Sequence, residues 1–274
     1  MHPSSPSSQD ASPLDTTPSY EEVTELAGDE VSQEQIERVV ARYAWALGFA
    51  RGKDVLEIAC GTGPGLGLLS GAARSLVAGD ISEQILARAR RHYGTRVELR
   101  VMDAMKLPFE TGSLDVIIIF EALYYVPDAR QFVDECRRVL RPGGVVLVSN
   151  ANKDLFDFNP SPHSHTYHGV VELGEIFGSR GFKVRFWGDV PVAAVSWRQK
   201  LLRPVKRTVV ALNLMPKSMA GKKLLKKLVF GEMRPFPPEI TQDMLPATSR
   251  LVPLEAGKPD RNHKVVLCEA RLEG

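Results

Sequence analysis

Asp54-Val55-Leu56-Glu57-Ile58-Ala59-Cys60-Gly61-Thr62-Gly63-Pro64 is the stretch whose reading decides the fold of this 274-residue chain. A short apolar strand carries an acid near its end, a glycine loop follows, and a helical pattern starts directly after it. Glycine lets the backbone turn without a Cβ clash and lets a ligand lie against bare main chain, while Pro64 presets a helical φ at a first helical position. The outcome is a ligand cradle at the carboxyl end of a first strand. A dinucleotide site would want G-x-G-x-x-G/A, which brings a pyrophosphate onto the helix N-terminus. Here Leu66 stands where the third small residue belongs, and the glycines run instead at Gly61, Gly63, Gly65 and Gly67. Glu57, at the mouth of the loop, repels a pyrophosphate and attracts an ammonium or sulfonium group.

Outward from that loop the chain alternates. Short β-rich runs at 55–58, 76–78, 97–101, 116–120 and 145–148 are separated by helical patterns, the signature of right-handed βαβ units and a parallel sheet covered on both faces. The run at 116–120 is apolar throughout, so it is expected to be central. Before the first strand, Ile36, Val39, Val40, Tyr43, Ala44 and Leu47 recur at helical spacing, which predicts an amphipathic helix over 33–50 that covers the cleft. Ser82 and Asp128 are expected N-caps, Asp128 forming a capping box with Gln131. Two late alternating runs, 182–187 and 264–270, read as further strands.

Five stretches in order carry a resemblance. The string Val55-Leu56-Glu57-Ile58-Ala59-Cys60-Gly61-Thr62-Gly63 resembles the first motif of class I S-adenosylmethionine-dependent methyltransferases, specifically those of the type 11 group. Asp80 ends a second strand in Val77-Ala78-Gly79-Asp80-Ile81-Ser82, about twenty residues on, where an acid takes ribose hydroxyls. Met102-Asp103-Ala104 through Leu107-Pro108-Phe109 resembles the adenine-binding motif. The run 114–120 followed by Glu121-Ala122-Leu123-Tyr124-Tyr125 resembles the fourth-strand motif, and Val139-Leu140-Arg141-Pro142-Gly143-Gly144 the turn into strand five. Glu57 and Ala59 replace a commoner Asp and Gly. The resemblance implies a Rossmann-like α/β fold with a seven-stranded, mostly parallel sheet, its last strand antiparallel, helices on both faces and a long insertion between the last two strands. It also implies S-adenosylmethionine as cofactor and S-adenosylhomocysteine as product. The cofactor would be held by Glu57, Ala59, Gly61, Gly63, Asp80, Ile81, Asp103, Ala104 and Phe120.

The implied activity is methyl transfer to an O or N nucleophile of a small molecule, in glycan or specialised metabolism. The alternative is a relative that binds the cofactor but serves as a cyclase or a non-catalytic scaffold. Transfer from a sulfonium needs positioning and, for a hydroxyl acceptor, a base. His165 is one candidate base, on a loop at 159–169 that also holds His163, Tyr167 and His168. Tyr125 and Glu121 are its rivals at the end of strand four. Loop shaping by these residues competes with catalysis, and a metal held by the three histidines would lack the carboxylates usual in metal-dependent methyltransferases of this fold. Arg42-Tyr43 resembles an Arg-Tyr pair of a bacterial methyltransferase group, and a plain helix-surface role is the competing reading.

Composition bounds the rest. The net charge of +2 does not announce a nucleic-acid binder, and an Asn-Pro-Pro-Tyr-type amide motif and an RNA-binding module are missing. Three scattered cysteines, Cys60, Cys136 and Cys268, suit reduced thiols better than a disulfide frame, and with no signal peptide or spanning run a cytoplasmic protein is expected. Residues 1–19, rich in Ser and Pro, are expected to form a disordered tail, followed by a single methyltransferase domain over 20–274. Within it, 189–262 is too long for a structureless loop and is expected to be a partly helical cap over the substrate. Residues 198–234 carry eleven Lys or Arg against one acid, Glu232. Steering of an anionic or carrier-bound acceptor, weak contact with an anionic membrane surface, and an ordinary solvated face compete to explain them. The sequence leaves the oligomeric state open.

Overall fold

In the computed structural model, residues 26–192 and 233–274 are described. The expected tail at 1–19 lies outside them, as does all of the basic stretch except its last residues.

Strand β1 (Glu30–Ser32) leads into helix α1 (Gln33–Ala50), whose start is fixed by Ser32 and Gln35. The Ser32 hydroxyl accepts from the Gln35 amide at 3.3 Å, and the Gln35 side chain accepts from the Ser32 amide at 3.0 Å. This reciprocal cap is one the sequence reading did not pick out. Then follow β2 (Asp54–Ile58), α2 (Leu66–Ala72), β3 (Ser75–Asp80), α3 (Glu83–Tyr93), β4 (Glu98–Val101), β5 (Leu114–Phe120), α4 (Ala129–Val139), β6 (Leu140–Ala151), α5 (Val170–Gly178), β7 (Phe182–Pro191), β8 (Met233–Pro235), β9 (Val252–Leu254) and β10 (His263–Leu272).

The main sheet runs β4-β3-β2-β5-β6-β10-β7-β9. β2 through β6 pair in parallel, while β10 enters antiparallel between β6 and β7. The two late strands therefore pair as expected, but the sheet has eight strands and not seven, because β9 adds an antiparallel edge to β7. β5 sits between β2 and β6 and is buried along nearly its whole length. Its unbroken apolar run is what a strand covered on both faces requires. One core layer joins α4 and α5 to the sheet, centred on Phe132, Ile117, Val148 and Phe177. On the other face α1 and α2 bury Tyr43, Val39 and Leu69 against Val116 and Ile118, and α3 packs Leu86 and Tyr93 onto Ala78.

Two expectations are corrected. Asp128 caps α4 by accepting from the Arg130 and Gln131 amides, but the Gln131 side chain donates to the Met105 carbonyl at 3.1 Å, so no capping box closes. The hydrogen bond from its Nε2 to Met105 holds the Gln131 side-chain amide toward the turn after β4 and not over the helix's own N-terminus. The insertion also begins later than 189, since β7 runs to Pro191. Its described part, from Met233, holds β8, a 3-10 turn at Gln242–Met244 and β9, with no α-helix among the described residues. The expected helices fall on residues outside the described ones.

That return segment acts as a strap. β8 pairs antiparallel with β1, and the Phe236 amide donates to Asp29. The Ile240 amide donates to the Pro64 carbonyl at 2.6 Å, which ties the strap to the glycine loop. Glu239 receives Arg96 at 2.9 Å and faces His92 Nε2 at 2.8 Å, and the Arg96 hydrogen bond holds its carboxyl below the usual range.

Candidate functional site

A cavity of about 570 Å³ opens at the carboxyl ends of β2, β3 and β5, bounded by α1, the turn after β5, the loop at 159–162 and Phe236 of the strap. A crevice outside the carboxyl ends of parallel strands, where the strand order reverses, is where open α/β sheets bind ligands.

Side-chain alternation puts Glu57 on the α1 face of β2, beside Val55. It is only 2% exposed. Its Oε1 accepts from the Tyr43 hydroxyl at 2.6 Å, while its Oε2 is buried with no partner among the described residues. Burial raises this carboxyl to about 7, against the lowering effect of the Tyr43 hydrogen bond and Arg42. The same burial, reinforced by Glu57, pushes the Tyr43 phenol well above its ordinary value, so the hydroxyl remains a donor. The tyrosine reaches this far down because Gly65 leaves room, for a Cβ there would stand 2.1 Å from the Tyr43 ring.

Around the loop, Ala59 takes a left-handed φ of 55° where the family's commoner glycine would sit without strain. The Gly61 amide donates to Asp80 Oδ2 at 3.0 Å and the Ser82 amide to Oδ1 at 2.9 Å. Burial nevertheless raises the Asp80 carboxyl. Asp103 Oδ1 accepts from the Met105 amide at 2.8 Å, fixing the turn after β4.

Of the residues expected to hold a cofactor, Glu57, Ala59, Gly61, Asp80, Ile81, Asp103, Ala104 and Phe120 line this one cavity. Gly63 does not. It shapes the loop from behind, with φ 73° and its carbonyl accepting from the Tyr93 hydroxyl at 2.5 Å.

The far end of the cavity is aromatic and charged. Glu121 and Tyr125 both line it. Glu121 is held at φ 52°, accepts from the Ser149 hydroxyl at 2.9 Å and more distantly from Tyr124 at 3.4 Å, and lies 3.9 Å from Arg38 Nη2. Tyr124 stacks on Tyr167 with centroids 4.2 Å apart. The Tyr125 hydroxyl pairs with Ser161 at 2.6 Å, and the Ser161 amide donates to the Tyr167 hydroxyl. This zips the loop over the turn after β5. His165 takes part only through its backbone, its amide donating to the Tyr124 carbonyl at 2.7 Å. Its side chain is exposed and does not line the cavity, so the expectation that it abstracts a proton does not match its place. His163 is exposed too, while burial lowers His168. Among the described residues, no group of His, Cys, Asp or Glu gathers to hold a metal ion.

Sequence reasoning missed Arg38 and Phe236. Arg38 stands four residues before Arg42, a spacing that puts both on one helix face, and that signal was readable. Phe236 carries no local signal, because it reaches the cavity only through the pairing of β8 with β1.

Residues 56–148 match a family described as "Methyltransferase domain". A protein of Mycolicibacterium smegmatis named "Probable S-adenosylmethionine-dependent methyltransferase" is 38% identical over 48% of this chain and 53% of its own length. The 27-O-demethylrifamycin SV methyltransferase of Amycolatopsis mediterranei is 36% identical over 47% of this chain and 48% of its own. The chain thus spans about half the length of these relatives. Among solved structures, YcgJ of Bacillus subtilis superposes with TM-score 0.53 at 15% identity, covering 85% of this chain and 98% of that one. The [4+2]-cyclase SpnF does so with TM-score 0.54 at 19% identity, covering 86% of this chain and 80% of that one. Both likenesses are of fold alone. No helix among the described residues is long and apolar enough to cross a membrane.

Proposed function

We propose that this chain, a class I S-adenosylmethionine-dependent methyltransferase by its core domain, transfers a methyl group to an O or N nucleophile of a small molecule. The observation that carries the reading is the convergence of Glu57, Asp80 and Asp103, from the ends of three neighbouring strands, on one cavity with an aromatic far end.

The cavity's chemistry fits the cofactor. Glu57 keeps a buried acceptor oxygen without a partner among the described residues, which suits an ammonium group, and Arg42 beside it suits a carboxylate. Asp80 and Asp103 remain to take ribose and adenine. Bound there, the cofactor supplies a methyl group on a positively charged sulfur, already activated for displacement. The chain's own part is to hold, orient and deprotonate. Tyr43 fixes the Glu57 carboxylate by donating to it. Glu121, turned inward from its left-handed position and steadied by Ser149, can receive an acceptor's proton at a carboxylate oxygen. Burial raises the Tyr124 phenol well above its ordinary value, so Tyr124 serves as a hydrogen-bond donor and not as the base. Phe236 walls the cavity, and the Tyr124–Tyr167 stack and the zipped loop narrow its far end. The reading as a cyclase or scaffold draws on fold likeness alone.

Two measurements test it. Calorimetry with S-adenosylhomocysteine should show binding that Asp80→Ala weakens by on the order of tenfold or more. Mass spectrometry of acceptor panels incubated with a deuteriomethyl donor should show one labelled methyl on a small molecule. An absence of calorimetric binding would overturn the assignment, while binding with no labelled product from any panel would favour the scaffold.

A further inference from the structure

The geometry points to Arg38 as an acceptor-binding residue that selects a planar aromatic molecule bearing a carboxylate, an inference that rests on reading this cavity as a methyl-transfer site. Helix α1 brings Arg38 and Arg42 one turn apart, and both line the cavity. Each has an Nε donor that is buried and without a partner among the described residues. An N–H donor shut away from water without an acceptor is costly even on a guanidinium that is otherwise partly exposed, as Arg38's is, and a ligand oxygen relieves that cost.

The two guanidiniums do not face the same group. Arg42 lies 5.9 Å from the ring centroids of both Tyr43 and Phe120 and acts on the Glu57 carboxyl and, beyond it, on the Tyr124 phenol, so it stands between the cofactor's amino-acid end and the far end. The cofactor brings a single carboxylate. Arg38, a turn earlier, stands instead against Glu121 at the far end. They form an ion pair whose closest approach, 3.9 Å, is longer than a hydrogen bond, and among the described residues the Arg38 fork makes no hydrogen bond.

Shape and charge narrow the occupant. The planar fork matches a carboxylate in two parallel hydrogen bonds. Glu121, so close by, disfavours a doubly charged phosphate and is placed to meet a hydroxyl or amine on the same molecule. The rings of Phe120, Tyr124 and Tyr125 wall the space, and aromatic pairs pack well edge to face or offset. An aromatic acid with its nucleophile on the ring satisfies all three demands at once.

The test is ligand-observed NMR titration of 3-hydroxybenzoate and 3-hydroxybenzamide, whose ring hydroxyl stays near enough to the carboxyl group to reach Glu121 from Arg38, in the presence of S-adenosylhomocysteine, on the native chain and on Arg38→Gln and Arg38→Lys. The acid should bind the native chain more tightly than the amide, and Arg38→Gln should weaken the acid roughly tenfold or more while leaving the amide unchanged. Arg38→Lys, which keeps the charge but loses the fork, should fall between them. Calorimetry with S-adenosylhomocysteine should be the same for all three proteins, which also shows that the variants are folded. Equal binding of acid and amide, no binding of the acid, or no effect of either substitution overturns the proposal. So does loss of S-adenosylhomocysteine from both Arg38 variants with the native chain still binding it, since Arg38 would then belong to the cofactor. Failure of the native chain to bind S-adenosylhomocysteine counts against the methyltransferase reading itself.

Discussion

Glu57 concentrates the chemistry of this cleft in one side chain. Its carboxyl is raised from an ordinary 4.5 to about 7 by burial, so the native state holds that proton more tightly than the unfolded chain does. The stability this lends is present below pH 4.5 and is withdrawn as pH rises to about 7, a swing of roughly 3 kcal/mol. Ligand binding runs the other way, because the charged carboxylate is the form that attracts an ammonium. S-adenosylhomocysteine should therefore bind more tightly at pH 8 than at pH 6, and Glu57→Gln should flatten that dependence. The same variant without ligand should melt above the native protein at pH 8, with the gap closing toward pH 4.5. Melting curves at the two ends of that range check the sign, and an unchanged slope in the variant would show that another group titrates. The acid at this position was legible from its place at the strand end. That its second oxygen has no partner among the described residues was not, because that depends on which side chains α1 sets against the carboxyl once the helix packs back over β2, and among them only Tyr43 reaches it with a donor.

Glycines at the start of α2 serve different masters, although sequence spacing makes them look alike. A methyl at Gly65 would meet the Tyr43 ring at 2.1 Å, and that ring is locked among α1, Phe120 and the Glu57 hydrogen bond. A methyl at Gly67 would meet first the Glu239 side chain, whose carboxylate is tied to Arg96 and His92 at the surface and can swing aside. Gly65→Ala should thus cost about 1–3 kcal/mol by overpacking and also weaken S-adenosylhomocysteine by displacing Tyr43. Gly67→Ala should cost less than about 1 kcal/mol, with Glu239 swinging off Arg96. Chemical denaturation of the two variants side by side checks the ranking, and equal losses would mean that the Tyr43 contact is not what demands glycine. The strap teaches a related lesson about elements. The sequence predicts an insertion, yet β8 is three residues long and has no pattern strong enough to announce a strand. It becomes one only because β1 supplies its hydrogen bonds.

For the molecule as a whole, burial also sets the reactivity of its thiols. Cys60, Cys136 and Cys268 are all buried and unbridged, and burial raises each thiol. A thiol reagent at pH 8 should label the native protein very slowly and all three cysteines together once denaturant unfolds it. Rapid labelling of the native state at Cys60, the one that lines the cleft, would show that the glycine loop opens readily. By itself the sequence determined the parallel core of the sheet, the helix over 33–50 and the ring of acids on the cleft. These follow from periodicity and from residues within one strand-loop-helix unit, where local physics decides. Only the tertiary structure decided that β9 extends the sheet, that Phe236 reaches the cleft, that Gly63 works from behind the loop and that His165 faces solvent. Each of these depends on which distant segment arrives to pair, pack or exclude water, and such pairings leave no trace in the spacing of neighbouring residues.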